Sequence, residues 1–217
     1  MNNIATNDIK QIKQNITYDP KCIFDIGANI GDYTLGFAQE FTNAKIYAFE
    51  PIKSTYDMLV NNTKDDDGIS TYNFGFLEHE TDCELGMPKN HYEKRVVANK
   101  VVHNLFSRMF VGPNDYCVQT CHFKNIDSFC KENDIFPDFL KIDVEGCEFE
   151  ILESISKDVA DKVRSIYIEV NVRLFPDQHK INNLLLGLGF NKAIPPIDYR
   201  PKERMGNLTH NRFWDKV

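Results

Sequence analysis

The chain has 217 residues, of which 42% are hydrophobic and 26% charged, and its formal net charge is −7 at pH 7. These values are typical of a single folded domain with a substantial core, and the acidic balance argues against broad electrostatic binding to nucleic acid. No apolar run is long enough for a transmembrane helix, and residues 1–20 lack the basic start and apolar centre of a signal peptide. We therefore predict one cytoplasmic domain over residues 1–217 that engages neither a membrane nor nucleic acid.

The first 41 residues predict a lead-in helix, a strand, a glycine turn and a second helix. The isoleucines within residues 1–20 follow a helical spacing, and an apolar strand covers residues 21–26. This strand runs into the motif FDIGANIGD at residues 24–32, in which Asp25 precedes Gly27 and Gly31. Because glycine lets a backbone approach closely and a helix start presents free N–H groups, the stretch predicts a site for part of a nucleotide-like ligand.

The chain continues to alternate strands and helices. Strands are predicted over residues 45–49 and 70–76, and the helix between them has Ile52, Leu59 and Val60 on its apolar face. Such alternation indicates a parallel sheet that binds ligands at the carboxyl ends of its strands. The cofactor-binding candidates at these ends are Asp25, Gly27, Ala28, Asn29, Gly31, Glu50, Pro51, Asn73, Gly75 and Phe76.

Residues 77–122 interrupt the alternation and are too long for a bare loop. Residues 82–85 and 116–123 have the composition of strands. We predict an insertion that covers the ligand cleft and helps to select the substrate; a hairpin that only packs against the sheet edge is an equally good alternative. Cys117, Cys121 and His122 lack a second pair of zinc ligands, so we interpret the six cysteines as reduced and mostly structural.

The C-terminal part resumes the pattern. A helix is predicted over residues 125–133, and strands over 138–143 and 164–170 enclose a further helix. Asp177 can cap a helix whose apolar face is Ile181, Leu184, Leu185 and Leu188. Residues 190–194 and 211–216 predict a final antiparallel pair.

The spacing of the glycines and acids separates two ligand classes. A dinucleotide fingerprint has three glycines, whereas the middle glycine is absent between Gly27 and Gly31. Asp25 would repel a pyrophosphate and attract a cationic ligand. Glu50 ends the second strand, where a carboxylate can accept hydrogen bonds from both ribose hydroxyls. Together they favour S-adenosylmethionine, with a nicotinamide-dependent oxidoreductase as the alternative.

Four motifs between about residues 21 and 171 resemble those of FkbM-type methyltransferases. They are FDIGANIG at 24–31, YAFEP at 47–51, IDSF at 126–129 and LKIDVEG at 140–146. The resemblance implies a Rossmann-like α/β fold of class I methyltransferases, in which helices flank a mostly parallel seven-stranded sheet with an antiparallel last strand. It also implies S-adenosyl-L-methionine as the methyl donor and a hydroxyl acceptor on a small molecule, sugar or glycan. Residues 77–122 and those after 195 match none of the motifs.

A hydroxyl acceptor needs a base to remove its proton. The candidate catalytic residues are Asp143, Glu145 and Lys141, and Asp143 is also a candidate contact of the cofactor. Lys141 shares the face of Asp143, so we interpret it as a partner of a nearby carboxylate, with acceptor binding as the alternative. A divalent cation held by Asp143, Glu169 and Asn171 is a further option that we do not favour.

Overall fold

The computed structural model describes residues 3–88, 97–98, 116–144, 146–171, 178–194 and 209–216. The first half of the chain forms α1 (Asn3–Asn15), β1 (Cys22–Ile26), α2 (Asp32–Glu40), β2 (Lys45–Phe49), α3 (Lys53–Thr63) and β3 (Ile69–Tyr72). The middle forms β4 (Gly75–Phe76), β5 (Thr81–Pro88), β6 (Val97–Ala98), β7 (Tyr116–Lys124) and α4 (Ile126–Asn133). The remainder forms β8 (Phe139–Ile142), α5 (Glu148–Ser154), α6 (Lys157–Ala160), β9 (Ser165–Asn171), α7 (Gln178–Gly187), β10 (Lys192–Ile194) and β11 (Thr209–Asp215).

The main sheet has seven strands in the order β10-β11-β9-β8-β1-β2-β3. Strands β9, β8, β1, β2 and β3 run parallel, whereas β11 is antiparallel to both β9 and β10. The predicted fold class, with its antiparallel last strand, is therefore confirmed. The carboxyl ends of β2, β1, β8 and β9 lie side by side along one edge of the sheet, which is where ligands bind in such folds.

The two faces of the sheet bury separate apolar cores. Ile23 of β1 packs with Ile9 and Ile12 of α1 on one face. The next residue, Phe24, packs with Phe49 and Phe129 on the other face, because successive side chains of a strand point in opposite directions. Within the segment predicted as a lead-in helix, residues 1–20, α1 spans Asn3–Asn15 and covers one face of the sheet beside α2.

The predicted strand over residues 70–76 is wrong in its extent, because the chain changes sheets within it. Strand β3 ends at Tyr72, and Gly75 and Phe76 pair instead with β7. The side-chain amide of Asn73 donates to the carbonyl oxygens of Glu50 and Pro51, at 2.9 and 3.2 Å, and so fixes the turn between the two sheets.

The predicted apolar face of α3 needs a smaller correction. Val60 is 38% exposed, whereas Leu59 is fully buried and Thr63 is largely buried. These two positions are four residues apart and therefore lie on one side of the helix. Leu59 packs against Ala28 and Ala48, which places α3 beside the glycine turn.

The insertion contributes to a second, four-stranded sheet in the order β4-β7-β5-β6. Strands β5 and β7 pair antiparallel along their length, as the two predicted strand segments indicated. Leu85, Cys121 and Phe123 pack on its inner side against Ile52, which follows β2. Residues 89–96 and 99–115 lie outside the described residues, so coverage of the cleft by the insertion stays a prediction.

The C-terminal elements agree with the predicted pattern. Ile181 and Leu185 of α7 are fully buried, and Leu184 and Leu188 are partly buried beside them. Strands β10 and β11 form the predicted antiparallel pair. Asp177, the predicted cap of α7, lies outside the described residues.

Candidate active site

The glycine turn joins the carboxyl ends of three strands. The N–H groups of Gly27 and Ala28 both donate to the carbonyl oxygen of Phe49, each at 3.0 Å, which ties the turn to the end of β2. Gly27 has a φ of +76°, and a Cβ atom at this position would lie 1.9 Å from the carbonyl oxygen of Asp143. Glycine is therefore required here so that the backbones that follow β1 and β8 can touch.

The turn continues with two more residues at positive φ. Asn29 has a φ of 53°, and Gly31, at 96°, caps the start of α2. A Cβ atom on Gly31 would lie 2.9 Å from a methyl group of Leu59. The sequence FDIGANIGD thus folds as a tight loop between β1 and α2, as predicted.

Glu50 lies at the end of β2 with only 5% of its surface exposed. One carboxylate oxygen accepts a hydrogen bond from the N–H of Asn29 at 3.0 Å, and the other accepts one from the N–H of Ile52 at 2.9 Å. Burial raises the pKa of Glu50 to about 7, and these two donors only partly offset that rise. Each oxygen keeps the capacity to accept a second hydrogen bond.

Asp25 and Lys141 form a buried ion pair on neighbouring strands. The Lys141 Nζ lies 3.0 Å from one carboxylate oxygen of Asp25, and the side chains are 1% and 0% exposed. Thr34 donates to the other oxygen of Asp25 at 2.6 Å, and Lys141 donates to the carbonyl oxygen of Gly27 at 3.0 Å. Burial lowers the pKa of Lys141, but Asp25 and Asp143 outweigh this effect, so the net shift is upward and the ammonium is retained.

This pair changes the interpretation of Asp25. The sequence suggested that a cationic ligand would face its carboxylate, whereas the cation beside it is Lys141. The Asp25 side chain has no exposed surface. In this position it stabilises the glycine turn from the protein interior, through Lys141. The interpretation of Lys141 as the partner of a nearby carboxylate is confirmed, and its assignment as a catalytic residue stays a prediction.

Asp143 is the second carboxylate beside Lys141, and it is only partly buried. Its side chain is 23% exposed, and one oxygen lies 3.5 Å from the Nζ of Lys141. Burial raises the pKa of Asp143 to about 6; Lys141 lowers it, and Glu169 and Asp25 raise it further. A partly accessible carboxylate with a raised pKa at a strand end has the character of a general base. Glu145, the other candidate base, lies outside the described residues.

Four further candidates lie where β2 meets the small sheet. Pro51 accepts the Asn73 amide, and Gly75 fits tightly because a Cβ atom there would lie 2.6 Å from the ring of Phe123. The ring of Phe76 is 1% exposed and lies in the core. These residues hold the two sheets together, and their contact with a cofactor stays a prediction.

One buried cluster of hydrogen-bonded side chains was not predicted from the sequence. Asp8 of α1 is 2% exposed and accepts hydrogen bonds from the hydroxyls of Tyr33 and Tyr167, at 2.5 and 2.7 Å. The Nζ of Lys141 lies 4.9 Å from the centre of the Tyr33 ring. A signal was present in the sequence, because Asp8 falls on the same helical face as Ala5, Ile9 and Ile12, where an acid is out of place.

The described part of the chain shows neither a metal-binding cluster nor a membrane-spanning helix. No group of three or more His, Cys, Asp or Glu side chains there could hold a metal ion. The suggested cation site also needs Asn171, whose side chain is outside the described set, so that site stays a prediction. Among the helices that are described, none has the length and apolar character needed to cross a membrane.

Comparison with known proteins adds evidence independent of this geometry. The methyltransferase FkbM domain family matches residues 25–192. Methyltransferase sdnD of Sordaria araneosa is 27% identical over 173 residues, which cover 68% of this chain and 65% of that protein. The chain therefore spans slightly less than two thirds of this relative.

Two solved structures resemble the fold at low sequence identity. Methyltransferase FkbM from Methylobacillus flagellatus KT superposes with a TM-score of 0.60 at 16% identity, over 93% of this chain and 45% of that chain. The N-terminal domain of EvdMO1 was solved with S-adenosylhomocysteine (SAH) bound. It superposes with a TM-score of 0.56 at 9% identity, over 100% of this chain and 82% of that chain. At these identities the likeness shows the fold alone, which is that of class I methyltransferases.

Proposed function

The chain belongs to the FkbM methyltransferase family, and we propose that it transfers a methyl group from S-adenosyl-L-methionine to a hydroxyl oxygen of a small molecule, sugar or glycan. The observation that carries this proposal is the meeting of Glu50, the Gly27 turn and Asp143 at the carboxyl ends of three adjacent parallel strands. The family match favours this activity over the nicotinamide-dependent alternative.

The residues at this edge fit the donor in chemical type. Glu50 is a carboxylate anchored by two backbone N–H groups, with remaining acceptor capacity for ribose hydroxyls. The donor, when bound, supplies a methyl group on a positively charged sulfur, and the partly exposed carboxylate of Asp143 suits that charge. The SAH in the N-terminal domain of EvdMO1 supports this assignment by likeness of fold.

Asp143 is our candidate for the base that removes the proton from the acceptor hydroxyl. With a pKa of about 6 its carboxylate is mostly ionised at neutral pH, yet it is more basic than an ordinary aspartate. The ammonium of Lys141, 3.5 Å away, holds the ionised carboxylate in place. Because the Asp143 side chain is 23% exposed, the proton it takes can pass to solvent. Glu145 is the alternative base.

The acceptor assignment rests on the family resemblance and on the charge of the chain. The net charge of −7 disfavours nucleic acid as the acceptor. We place the acceptor beside the small sheet, because only Asn73 and Phe74 separate the end of β3 from the start of β4. This short connection brings the insertion to the edge of the main sheet that we propose for the donor.

Two measurements test the proposal in sequence. Isothermal calorimetry of the full chain should detect binding of S-adenosylmethionine and SAH, and Glu50→Ala should weaken both. Isotope-labelled S-adenosylmethionine should then label hydroxylated acceptors in a panel of sugars and small molecules. A folded sample that binds neither ligand at high micromolar concentration would overturn the donor assignment, and labelling confined to amines would overturn the hydroxyl assignment.

A further inference from the structure

A buried carboxylate on the N-terminal helix fastens two elements of the active site to each other. One oxygen of Asp8 accepts hydrogen bonds from both Tyr33 and Tyr167, whose hydroxyl oxygens lie 3.4 Å apart. Tyr33 belongs to α2, whereas Tyr167 belongs to β9. The contact therefore links three elements through a single atom.

Each tyrosine leads directly to a group of the site. Tyr33 is the second residue of α2, two positions after Gly31, and its ring lies 4.9 Å from the ammonium of Lys141. Tyr167 is the β9 residue in register with Lys141, and Glu169 follows it two positions later. Tyr33 through its ring and Tyr167 through its register in the sheet are thus neighbours of Lys141. This lysine contacts Asp25, Asp143 and the carbonyl oxygen of Gly27.

Both tyrosines act as donors in this contact. Burial, together with the neighbouring Tyr167 and Asp8, raises the pKa of Tyr33, and burial with Asp8 raises that of Tyr167. The hydroxyls are therefore protonated throughout the physiological range. Asp8 serves as a common acceptor that holds both rings in fixed positions.

The packing of α1 does not by itself require an acid at this position. Ile9 and Ile12 of the same face are buried in the apolar core and dock the helix. A buried carboxylate costs free energy that only specific hydrogen bonds offset. Its presence is therefore better explained by the placement of the two tyrosines than by attachment of the helix.

We propose that Asp8 is a positioning residue of the methyl-donor site, which acts through Tyr33 and Tyr167 to hold Lys141 and the glycine turn in their binding geometry. Asp8 lies before the matched family segment of residues 25–192, whereas Tyr33 and Tyr167 lie within it. The inference rests on the proposed function, since its readout is the affinity for SAH.

The test compares SAH affinity among variants of the full chain, measured by calorimetry well below each unfolding midpoint. Asp8→Ala and Tyr33→Phe should each weaken binding about fivefold, the loss expected for one misplaced hydrogen bond. Asp8→Asn keeps an acceptor oxygen, so it should bind SAH more tightly than Asp8→Ala and close to the wild-type affinity. The double variant of Asp8→Ala and Tyr33→Phe should bind no more weakly than Asp8→Ala alone, because both changes break one link.

A matched control separates positioning from general stability. Ser165→Ala removes another buried hydrogen bond, to Asp215 at 2.8 Å, at the far end of β9 from Glu169. It should lower the unfolding midpoint and leave the SAH affinity unchanged. Unchanged affinity in folded Asp8→Ala, or in folded Tyr33→Phe where Asp8→Ala does not fold, overturns this inference alone. A wild-type protein that does not bind SAH overturns the proposed function together with it.

Discussion

The ammonium of Lys141 lies 3.0 Å from the carboxylate of Asp25, and the two side chains are 1% and 0% exposed. Removal of Lys141 leaves Asp25 as an unpaired charge in the core. We therefore expect Lys141→Met to lower the free energy of unfolding by about 3–5 kcal/mol, measured by urea denaturation. A combined change of Asp25→Asn and Lys141→Met should recover much of this loss.

An exposed ion pair provides the control for that experiment. Lys157 and Asp161 are four residues apart, and their side chains are 82% and 52% exposed. Lys157→Met should leave the unfolding midpoint close to that of the wild type. If Lys141→Met behaved in the same way, the buried pair would have no structural role.

The second prediction concerns the contact between Gly27 and the backbone of Asp143. Gly27→Ala adds a Cβ atom 1.9 Å from a carbonyl oxygen at a φ of +76°, and both effects strain the folded state. We expect the free energy of unfolding to fall by at least about 2 kcal/mol, with weaker SAH binding in any folded protein. Thermal unfolding and calorimetry measure the two effects.

A second glycine serves as the matched control. Gly187, the last residue of α7, has no atom within 4 Å of an added Cβ. Gly187→Ala should be neutral or stabilise the helix by up to about 1 kcal/mol. Equal losses in the two variants would show that the contact at Gly27 has no special importance.

The third prediction concerns the pH dependence of donor binding. The pKa of Glu50 is raised from 4.5 to about 7, so at pH 6 the folded protein holds a proton that must leave before both oxygens can accept ribose hydroxyls. SAH binding should therefore tighten as pH rises through about 7, level off above that, and release protons. Calorimetry in buffers of different ionisation enthalpy measures this release.

The Glu50 variant gives the corresponding control. Glu50→Gln should bind SAH more weakly at pH 8, and its affinity should change little between pH 6 and 8. The raised pKa of Glu50 also affects folding stability. Between about pH 4.5 and about pH 7 the folded state keeps the Glu50 proton and the unfolded state loses it. The contribution of Glu50 to the free energy of unfolding should therefore fall as pH rises through this window. Wild-type affinity that did not vary with pH would contradict the role assigned to this carboxylate.

The fourth prediction concerns the proton acceptor. Asp143→Asn should lower kcat by about 10²–10⁴-fold with an acceptor identified by labelling, while the SAH dissociation constant changes only a few-fold. For the wild type, kcat/KM for the acceptor at saturating donor should fall as pH drops below about 6, because Asp143 becomes protonated there. Glu145→Gln is the comparison, and a larger kcat loss in that variant would transfer the role of base to Glu145.

The sequence predicted the features that depend on local pattern. Apolar runs and helical spacing located the strands, and the positions of the glycines and Glu50 predicted that they meet at one edge of the sheet, because strand ends in a parallel sheet converge. The antiparallel β10–β11 pair was expected as well.

Features that depend on contacts distant in sequence were not predictable in this way. The end of β3 at Tyr72 depends on the Asn73 amide, which bonds to carbonyls more than 20 residues earlier in the chain. The charge facing Asp25 comes from Lys141, 116 positions later in the numbering. The periodicity of apolar residues along the sequence carries no information about which buried carboxylate pairs with which buried lysine.

The junction at Asn73 also separates the small sheet from the strand ends of the main sheet, where the proposed donor site lies. The proposed donor site is held by the hydrogen bonds from Gly27 to Phe49 and from Asn29 to Glu50. The small sheet contacts this edge through Pro51, Ile52 and Gly75. We expect substitutions in β5 and β7 to leave those hydrogen bonds intact, because neither strand supplies a donor or an acceptor to them. The proposed acceptor side can therefore change in sequence while the proposed donor site keeps its geometry.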